Sequence, residues 1–162
     1  MAETIQLEVV TPERLVVSEA AEDIQIPGKT GYLGILPGHA PLVTEIAVGE
    51  ISYHSSGQLK RLAVAWGFAE VLPSKVTVLA ETAERSQEID VKRAQAAKQK
   101  AEEELLKAGP GGSSEAQAAL QRANARLEVA GYTNAECWAY RTLGHRLNPM
   151  AFHFCQSFFG AR

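Results

Sequence analysis

The sequence predicts a two-part α+β protein, in which an antiparallel β-sandwich over residues 1–88 precedes an antiparallel α-helical hairpin over residues 89–131. The first part carries short alternating segments about ten residues apart, separated by Gly, Pro and Ser turns. At residue 90 the apolar period changes from two residues to three or four, which is typical of helices. Residues 132–162 hold seven of the eleven aromatic residues and follow no period, so we treat them as an atypical C-terminal extension.

The predicted strands alternate polar and apolar residues, so that one face of each lies on a core. In residues 4–10 the apolar face consists of Ile5, Leu7 and Val9. Short strands joined by tight turns are typical of an antiparallel sandwich or barrel. The further strand segments are Asp23–Ile26, Glu50–Tyr53, Leu59–Trp66, Phe68–Leu72 and Val76–Leu79.

Two helices are predicted from their capping residues and from narrow apolar stripes. Asp90 is a suitable N-cap for the first helix, which must end at the Gly109–Gly112 break. Ser114, with Gln117 three residues later, forms a capping box for the second helix, and Gly131 follows its end. The stripes are mostly alanine, which buries little area per residue, so the hairpin is marginal unless it docks on another surface. They comprise Val91, Ala94, Ala97, Ala101, Leu105 and Ala108, then Ala116, Ala119, Leu120, Ala123, Leu127 and Ala130.

Composition excludes several classes of protein. The net charge of -3 argues against a nucleic-acid partner. No segment approaches the roughly 18 consecutive apolar residues of a membrane span, so direct membrane insertion is not expected. The first residues include Glu3, Glu8 and Glu13, which do not suit a secretory signal. The only cysteines, Cys137 and Cys155, lie close together near the end, so a reducing interior is expected.

Residues 1–131 carry no acid/base pair, nucleophile or metal cluster, and we expect no enzyme activity of the chain by itself. Gly28-Lys29-Thr30 is similar to the end of a phosphate-binding loop, but Asp23 stands where that loop needs a glycine, which favours a simple turn. His39 has no serine or cysteine partner in sequence, which favours a structural or interface role. The spacing of four zinc candidates in the last segment matches no common metal site. These are Cys137, His145, His153 and Cys155.

Charged residues at the start of the hairpin and on both helices allow two interpretations. They either form a solvated face or converge on a polyanion. Arg93 and Lys100 share one face of the first helix because they are seven residues apart. Arg122 and Arg126 share one face of the second helix because they are four residues apart. The full set is Glu84, Asp90, Arg93, Lys100, Arg122 and Arg126.

Three segments together resemble the epsilon subunit of the F-type rotary ATP synthase. They are the turn-rich Gly31–Leu42, the strand Val76–Ala83 and the run Ile89-Asp90-Val91-Lys92-Arg93-Ala94. The resemblance covers residues 3–131 and implies a non-catalytic subunit of the central stalk. It would contact the gamma subunit and the c-subunit ring, and would couple proton flow to ATP synthesis. It implies a peripheral protein on the cytoplasmic face of the bacterial inner membrane.

The resemblance also assigns roles to individual residues. The hairpin would restrain ATP hydrolysis by extending toward the alpha and beta subunits. No cofactor is required, but a regulatory ATP is possible, with Lys100 departing from the arginine of strong ATP binders. Tyr32 stands where many relatives have an acidic residue at the ring contact. The ATP site would comprise Glu84, Ile89, Asp90, Arg93, Ala94, Lys100, Arg122 and Arg126, and the stalk and ring interface would comprise Gly31, Tyr32, Leu33, Gly34, Pro37, Gly38, His39 and Pro41.

An alternative interpretation does not depend on the resemblance. A sandwich with a helical hairpin also fits an adaptor, in which the sandwich binds a partner and the hairpin forms a dimer. Copurification with a membrane-bound ATPase would distinguish the two interpretations.

Overall fold

The computed structural model of the chain describes residues 3–108 and 113–131. Eight strands come first, and two helices follow after a single 3-10 turn at Ser86–Glu88. The strands are β1 (Ile5–Val10), β2 (Leu15–Ala21), β3 (Asp23–Gly28), β4 (Gly31–Ile35), β5 (Leu42–Ile46), β6 (Gly49–Ser55), β7 (Gln58–Leu72) and β8 (Lys75–Arg85). The helices are α1 (Val91–Ala108) and α2 (Ser114–Val129). The predicted sandwich followed by a helical hairpin is confirmed.

The strands form one continuous sheet that folds back on itself. Its order is β2-β1-β8-β7-β5-β3-β4, and β6 pairs with both β3 and β7. Strand β7 joins the layers, because its first half pairs with β6 and its second half with β5. The described strand pairs are antiparallel except for β1 and β8, which run parallel. The sequence predicted an antiparallel sandwich, and the parallel pair of β1 and β8 is the one departure among the described strands.

The core lies between the two layers and consists of Ile, Leu and Val side chains with a few alanines. Strand β1 shows the predicted alternation, with Ile5, Leu7 and Val9 fully buried and the residues between them partly exposed. Dense packing of branched side chains gives the sandwich its own stable core. The largest fully buried residues are Ile5, Leu7, Ile24, Ile26, Ile35, Ile46, Ile51, Leu62, Val9, Val17, Val64 and Val71.

The alternation of core-facing residues along β7 shifts by one residue at Trp66. On β7 the buried core positions are Leu62 and Val64 before this point, and Ala69 and Val71 after it. Trp66 has a φ of 45°, which is unusual for a bulky residue. Gly67 follows with a φ of +144°, and a Cβ there would lie 1.9 Å from the carbonyl oxygen of Leu79. Only glycine fits this close approach of β7 and β8.

Capping residues set the ends of the hairpin helices. Asp90 caps α1, since the backbone N–H of Arg93 donates to its Oδ1 at 3.1 Å, as the sequence predicted. The cap of α2 is Ser113, whose hydroxyl accepts from the Ala116 N–H at 3.3 Å, so the prediction of Ser114 was wrong by one residue. Gly131 ends the helix with a φ of 73°, which agrees with the predicted glycine stop.

The hairpin packs on the sandwich through α2. Helix α1 packs on α2, with Ala94 and Ala101 buried between them. On the other side of α2, Ala125 and Arg126 face Ala63 and Ala65 of β7. At the C-terminal end of α2, this contact includes a small buried cluster of Ala63, Ile89 and Val129, with Ala130 packed against it. The sandwich and hairpin thus belong to one compact unit, Met1–Tyr132.

Several details differ from the sequence-based expectation. The segment Gly31–Leu42 is not wholly a loop, because its first five residues form β4 and its last residue begins β5. Strand β2 was not predicted. Ala97 and Ala108 of the predicted α1 stripe are exposed. The described ranges leave out residues 132–162, so the predicted extension and its four zinc candidates lie outside them. The division at residue 88 stays a prediction.

Candidate functional site between the sheet and the second helix

Three residues of the predicted ATP site, Glu84, Arg122 and Arg126, lie together where α2 packs on β7 and β8. Glu84 lies near the end of β8, opposite Ala63 of β7. Its carboxylate receives three hydrogen bonds from the Arg126 guanidinium, from Nε at 3.0 and 3.1 Å and from Nη2 at 2.6 Å. Both side chains are about one third exposed, at 29% and 33%. This bidentate pair ties α2 to the sheet.

Arg122 lies one turn before Arg126 and is also engaged by the sheet. The carbon of its guanidinium group is 4.8 Å from the centroid of the Trp66 ring, which is within the range of a cation–π contact. Trp66 lies on β7, and its backbone is in the left-handed region, with a φ of 45°. Both arginines of α2 thus have partners on the sandwich.

The remaining predicted nucleotide residues lie elsewhere on the hairpin. Asp90 serves as the cap of α1, while Ile89 and Ala94 are buried in the packing of the hairpin. Arg93 is exposed, and the Lys100 ammonium lies 3.9 Å from Glu104, on a side chain that is 79% exposed. No hydrogen bond or ion pair joins Arg93 or Lys100 to the three residues between α2 and the sheet, which are Glu84, Arg122 and Arg126. The structure thus brings together Glu84, Arg122 and Arg126 alone.

The seam between α2 and the sheet is nearly filled. Its cavity measures about 10 Å³, which is the space of a single water molecule. Alanines on both sides let the helix lie close to the sheet, so no room is left for a larger group. A nucleotide can reach these arginines only if they turn away from their present partners. The lining residues are Ala63, Val64, Ala65, Thr82, Glu84, Arg122, Ala125 and Arg126.

The predicted interface segment lies at a sheet edge formed by β4. Gly31, Tyr32 and Gly34 are exposed, whereas Leu33 packs on the core. After β4 the chain turns, with the His39 N–H donating to the Leu36 carbonyl at 3.1 Å.

The turn after β4 is fixed to the turn between β7 and β8. The Gly38 N–H donates to the Pro73 carbonyl at 2.8 Å, and Gly38 has a φ of 81°. Pro37 and His39 are partly exposed, and Pro41 is exposed. His39 Nδ1 lies 2.8 Å from the Ala40 carbonyl oxygen. The segment is an exposed edge fixed by backbone hydrogen bonds, which suits contact with a partner.

Sequence reasoning missed an apolar stripe on the outer face of the sheet. The strand registers place Phe68 beside Leu79, Leu79 beside Val10, and Val10 beside Leu15. Phe68 is 59% exposed, and Leu79 and Leu15 are each 56% exposed. We call these four residues the apolar stripe. The signal was present in the sequence, since each of four neighbouring strands carries one apolar residue at an outward-facing position.

A second cleft, of about 350 Å³, lies beside the 3-10 turn. Its charged groups are already paired, because Lys60 contacts Glu19 at 2.5 Å and Arg85 donates to the Val16 carbonyl. The hydrogen bond from Lys60 lowers the pKa of Glu19 below its usual value. Burial, reinforced by the Glu19 charge, raises the pKa of Tyr53 to about 12. These pairs stabilise the fold and offer no reactive group.

Residues 3–108 and 113–131 contain no group of three or more His, Cys, Asp and Glu side chains that could hold a metal ion. Neither α1 nor α2 is long and apolar enough to cross a membrane.

Comparisons with known proteins identify the family. Residues 4–86 match the family described as ATP synthase, Delta/Epsilon chain, beta-sandwich domain, and residues 87–131 match its long alpha-helix domain. An ATP synthase epsilon chain of Koribacter versatilis is 66% identical over 110 residues, covering 68% of this chain and 78% of the relative. The epsilon chain of Geotalea daltonii is 47% identical over 133 residues, covering 81% of this chain and 96% of the relative.

A solved structure shows the same fold. A chain of the Euglena gracilis mitochondrial ATP synthase, in an assembly of OSCP, F1 and c-ring, matches with a TM-score of 0.68. It is 23% identical, and the match covers 78% of this chain and 81% of that chain. The family match confirms the predicted resemblance and replaces the adaptor interpretation. The chain therefore belongs to the epsilon-chain family and is a non-catalytic stalk subunit of an F-type ATP synthase.

Proposed function

We propose that this subunit lies in the central stalk between the gamma subunit and the c-subunit ring, and so couples proton flow to ATP synthesis. It acts as a peripheral protein on the cytoplasmic face of the bacterial inner membrane. Two separate exposed surfaces of the sandwich support two partners. One is the apolar stripe on the outer face of the sheet, and the other is the edge around β4.

The apolar stripe carries the contact with the gamma subunit. Neighbouring exposed apolar side chains on one sheet face are unusual in a monomer and are typical of a permanent interface. The edge at Gly31–Ile35 and the turn after it contact the ring. Tyr32 is partly exposed there and provides an aromatic contact where an acidic residue would provide a charge.

Copurification tests the gamma contact. A Leu79→Glu variant places a charge inside the stripe, between Phe68 and Val10, and we expect at least about a 30-fold weaker association with the detergent-solubilised complex, the loss typical of an interface hot spot. Leu106→Glu is the matched control, because Leu106 lies on α1 and is 83% exposed. Equal retention of both variants in the complex would contradict the assignment of the stripe.

The hairpin restrains ATP hydrolysis by leaving the sandwich and contacting the alpha and beta subunits. Its docking surface favours this, because it is built largely from alanines, which bury little area. A docked and an extended arrangement can therefore differ by only a few kcal/mol, the range in which ligands shift populations.

ATP is a regulatory ligand that favours the compact hairpin. The convergence of Glu84, Arg122 and Arg126 carries this proposal, because two guanidinium groups on one helix face suit bidentate contacts with phosphate. Arg93 and Lys100 on α1 add positive charge on the same hairpin. The structure places Glu84 and the indole of Trp66 on the two arginines, so ATP must replace these partners.

Calorimetric titration of the full chain with ATP tests the ligand. We expect a saturable heat in the millimolar range or below, and its loss in an Arg126→Gln variant. Lys107→Gln is the control, since Lys107 lies in the last turn of α1 beyond the predicted nucleotide residues. Absence of heat at millimolar ATP would remove ATP from the proposal and leave the stalk contacts untouched.

A further inference from the structure

Trp66 occupies a costly backbone conformation at the point where the core-facing positions of β7 switch. Its φ of 45° lies in the left-handed region, which bulky side chains rarely adopt. Side chains held in such conformations persist where the surroundings impose them, and they cluster at functional positions. In this conformation the indole of Trp66 makes a cation–π contact with the guanidinium group of Arg122.

The sheet surface under α2 offers little other attraction. Ala63 and Ala65 of β7 meet Ala125 of α2, and the cavity left between them is about 10 Å³. Such small side chains bury little apolar area, so specific polar contacts decide how firmly the helix docks. Two contacts of this kind are present, Arg122 on Trp66 and Arg126 on Glu84.

The two contacts form a pair along one helix face. Arg122 and Arg126 are separated by one helical turn, and their partners lie on the adjacent strands β7 and β8. Both contacts can form only when α2 lies on the sheet in this register. If α2 lifts, both arginines lose their partners together.

We propose that Trp66 and Glu84 form an internal latch, which holds the compact hairpin on the sandwich without any ligand by binding Arg122 and Arg126. The left-handed backbone at Trp66 is the device that turns the indole outward onto the helix. The latch deepens the proposed regulatory function, since it occupies the arginines proposed for ATP. The test below does not depend on nucleotide, so the latch and the ATP site can fail separately.

Hydrogen exchange of the full chain without nucleotide tests the latch. We expect Trp66→Leu to speed exchange of the α2 amides by roughly two- to ten-fold, the factor that a partly exposed cation–π contact provides. Trp66→Phe keeps an aromatic face and should restore part of the protection. The amides of β1 and β8 should exchange as in the unchanged chain, because the core does not contact the indole.

Two comparisons separate a latch from a general loss of stability. Val43→Ala is the control, because Val43 is an exposed apolar residue on the neighbouring strand β5, outside the surfaces proposed for partners, and should leave α2 exchange unchanged. Arg122→Leu should speed exchange as much as Trp66→Leu, and the double variant should add nothing further. Unchanged α2 exchange in Trp66→Leu, or additive effects in the double variant, would overturn the latch.

Discussion

A Gly67→Ala substitution should destabilise the sandwich strongly, although it adds a single methyl group. Gly67 has a φ of +144°, a conformation that residues with a side chain rarely adopt. The added Cβ would lie 1.9 Å from the Leu79 carbonyl oxygen and 2.9 Å from the Ala80 Cα. These are backbone atoms of β8, so the clash cannot be relieved by rotating a side chain.

The magnitude follows from two costs. The positive φ costs on the order of 1–3 kcal/mol for a residue other than glycine. Moving β8 away from β7 weakens one or two ladder hydrogen bonds, each worth about 1 kcal/mol. We therefore expect a loss of about 2–5 kcal/mol, a large share of the 5–15 kcal/mol typical of a small protein.

Urea unfolding of the isolated chain, followed by circular dichroism, measures this loss. With a slope of about 1–3 kcal/mol per molar urea, the midpoint should fall by about 0.7 M or more. Gly57→Ala is the matched control, because Gly57 also has a positive φ, of +71°, but a Cβ there meets nothing within 4 Å. It should cost about 1 kcal/mol. Equal midpoint shifts in the two variants would refute the argument from the clash.

Three further predictions concern local interactions. Asp90→Ala removes the cap on the Arg93 N–H and should cost α1 about 1 kcal/mol, visible as faster amide exchange in its first turn. Burial raises the pKa of Tyr53 from its usual 10.0 to about 12, so the neutral form stabilises the fold below pH 10. Unfolding titrations should show stability falling between pH 10 and 12 in the unchanged chain but less in Tyr53→Phe. The hydrogen bond from Lys60 lowers the pKa of Glu19, so the stability that this pair contributes is present above pH 4.5 and falls as the pH drops below that value. In Lys60→Met, the same titration should show a smaller loss of stability at acid pH.

Local patterns in the sequence predict most of the elements, because those elements depend on neighbouring residues. Alternation identified β1, since Ile5, Leu7 and Val9 face one core. The cap at Asp90 was predicted because an N-cap contacts an N–H only a few residues away. Strand β2 was missed because Val16 and Val17 are both buried, which breaks the alternation. A register shift between Val9 and Val10 of the neighbouring strand accompanies this irregularity.

The candidate site was predictable only in part, because its contacts join distant segments. The spacing of Arg122 and Arg126 predicted a shared helix face, which the structure bears out by placing both on the sheet. Their partners lie forty or more residues earlier, and spacing along the chain does not reveal them. Val129 was left out of the predicted stripe for the same reason, since its packing partner is the sheet and not α1.

The central claim is that the subunit acts through the position of its hairpin and not through chemistry of its own. ATP hydrolysis by the reconstituted complex tests it, with Ala63→Cys and Val129→Cys placed in the buried cluster between hairpin and sandwich. Cys137 and Cys155 are changed to serine so that one disulfide alone can form. We expect fast hydrolysis when the disulfide locks the compact hairpin, and slower hydrolysis after reduction. Equal rates in the locked and reduced states would contradict the account.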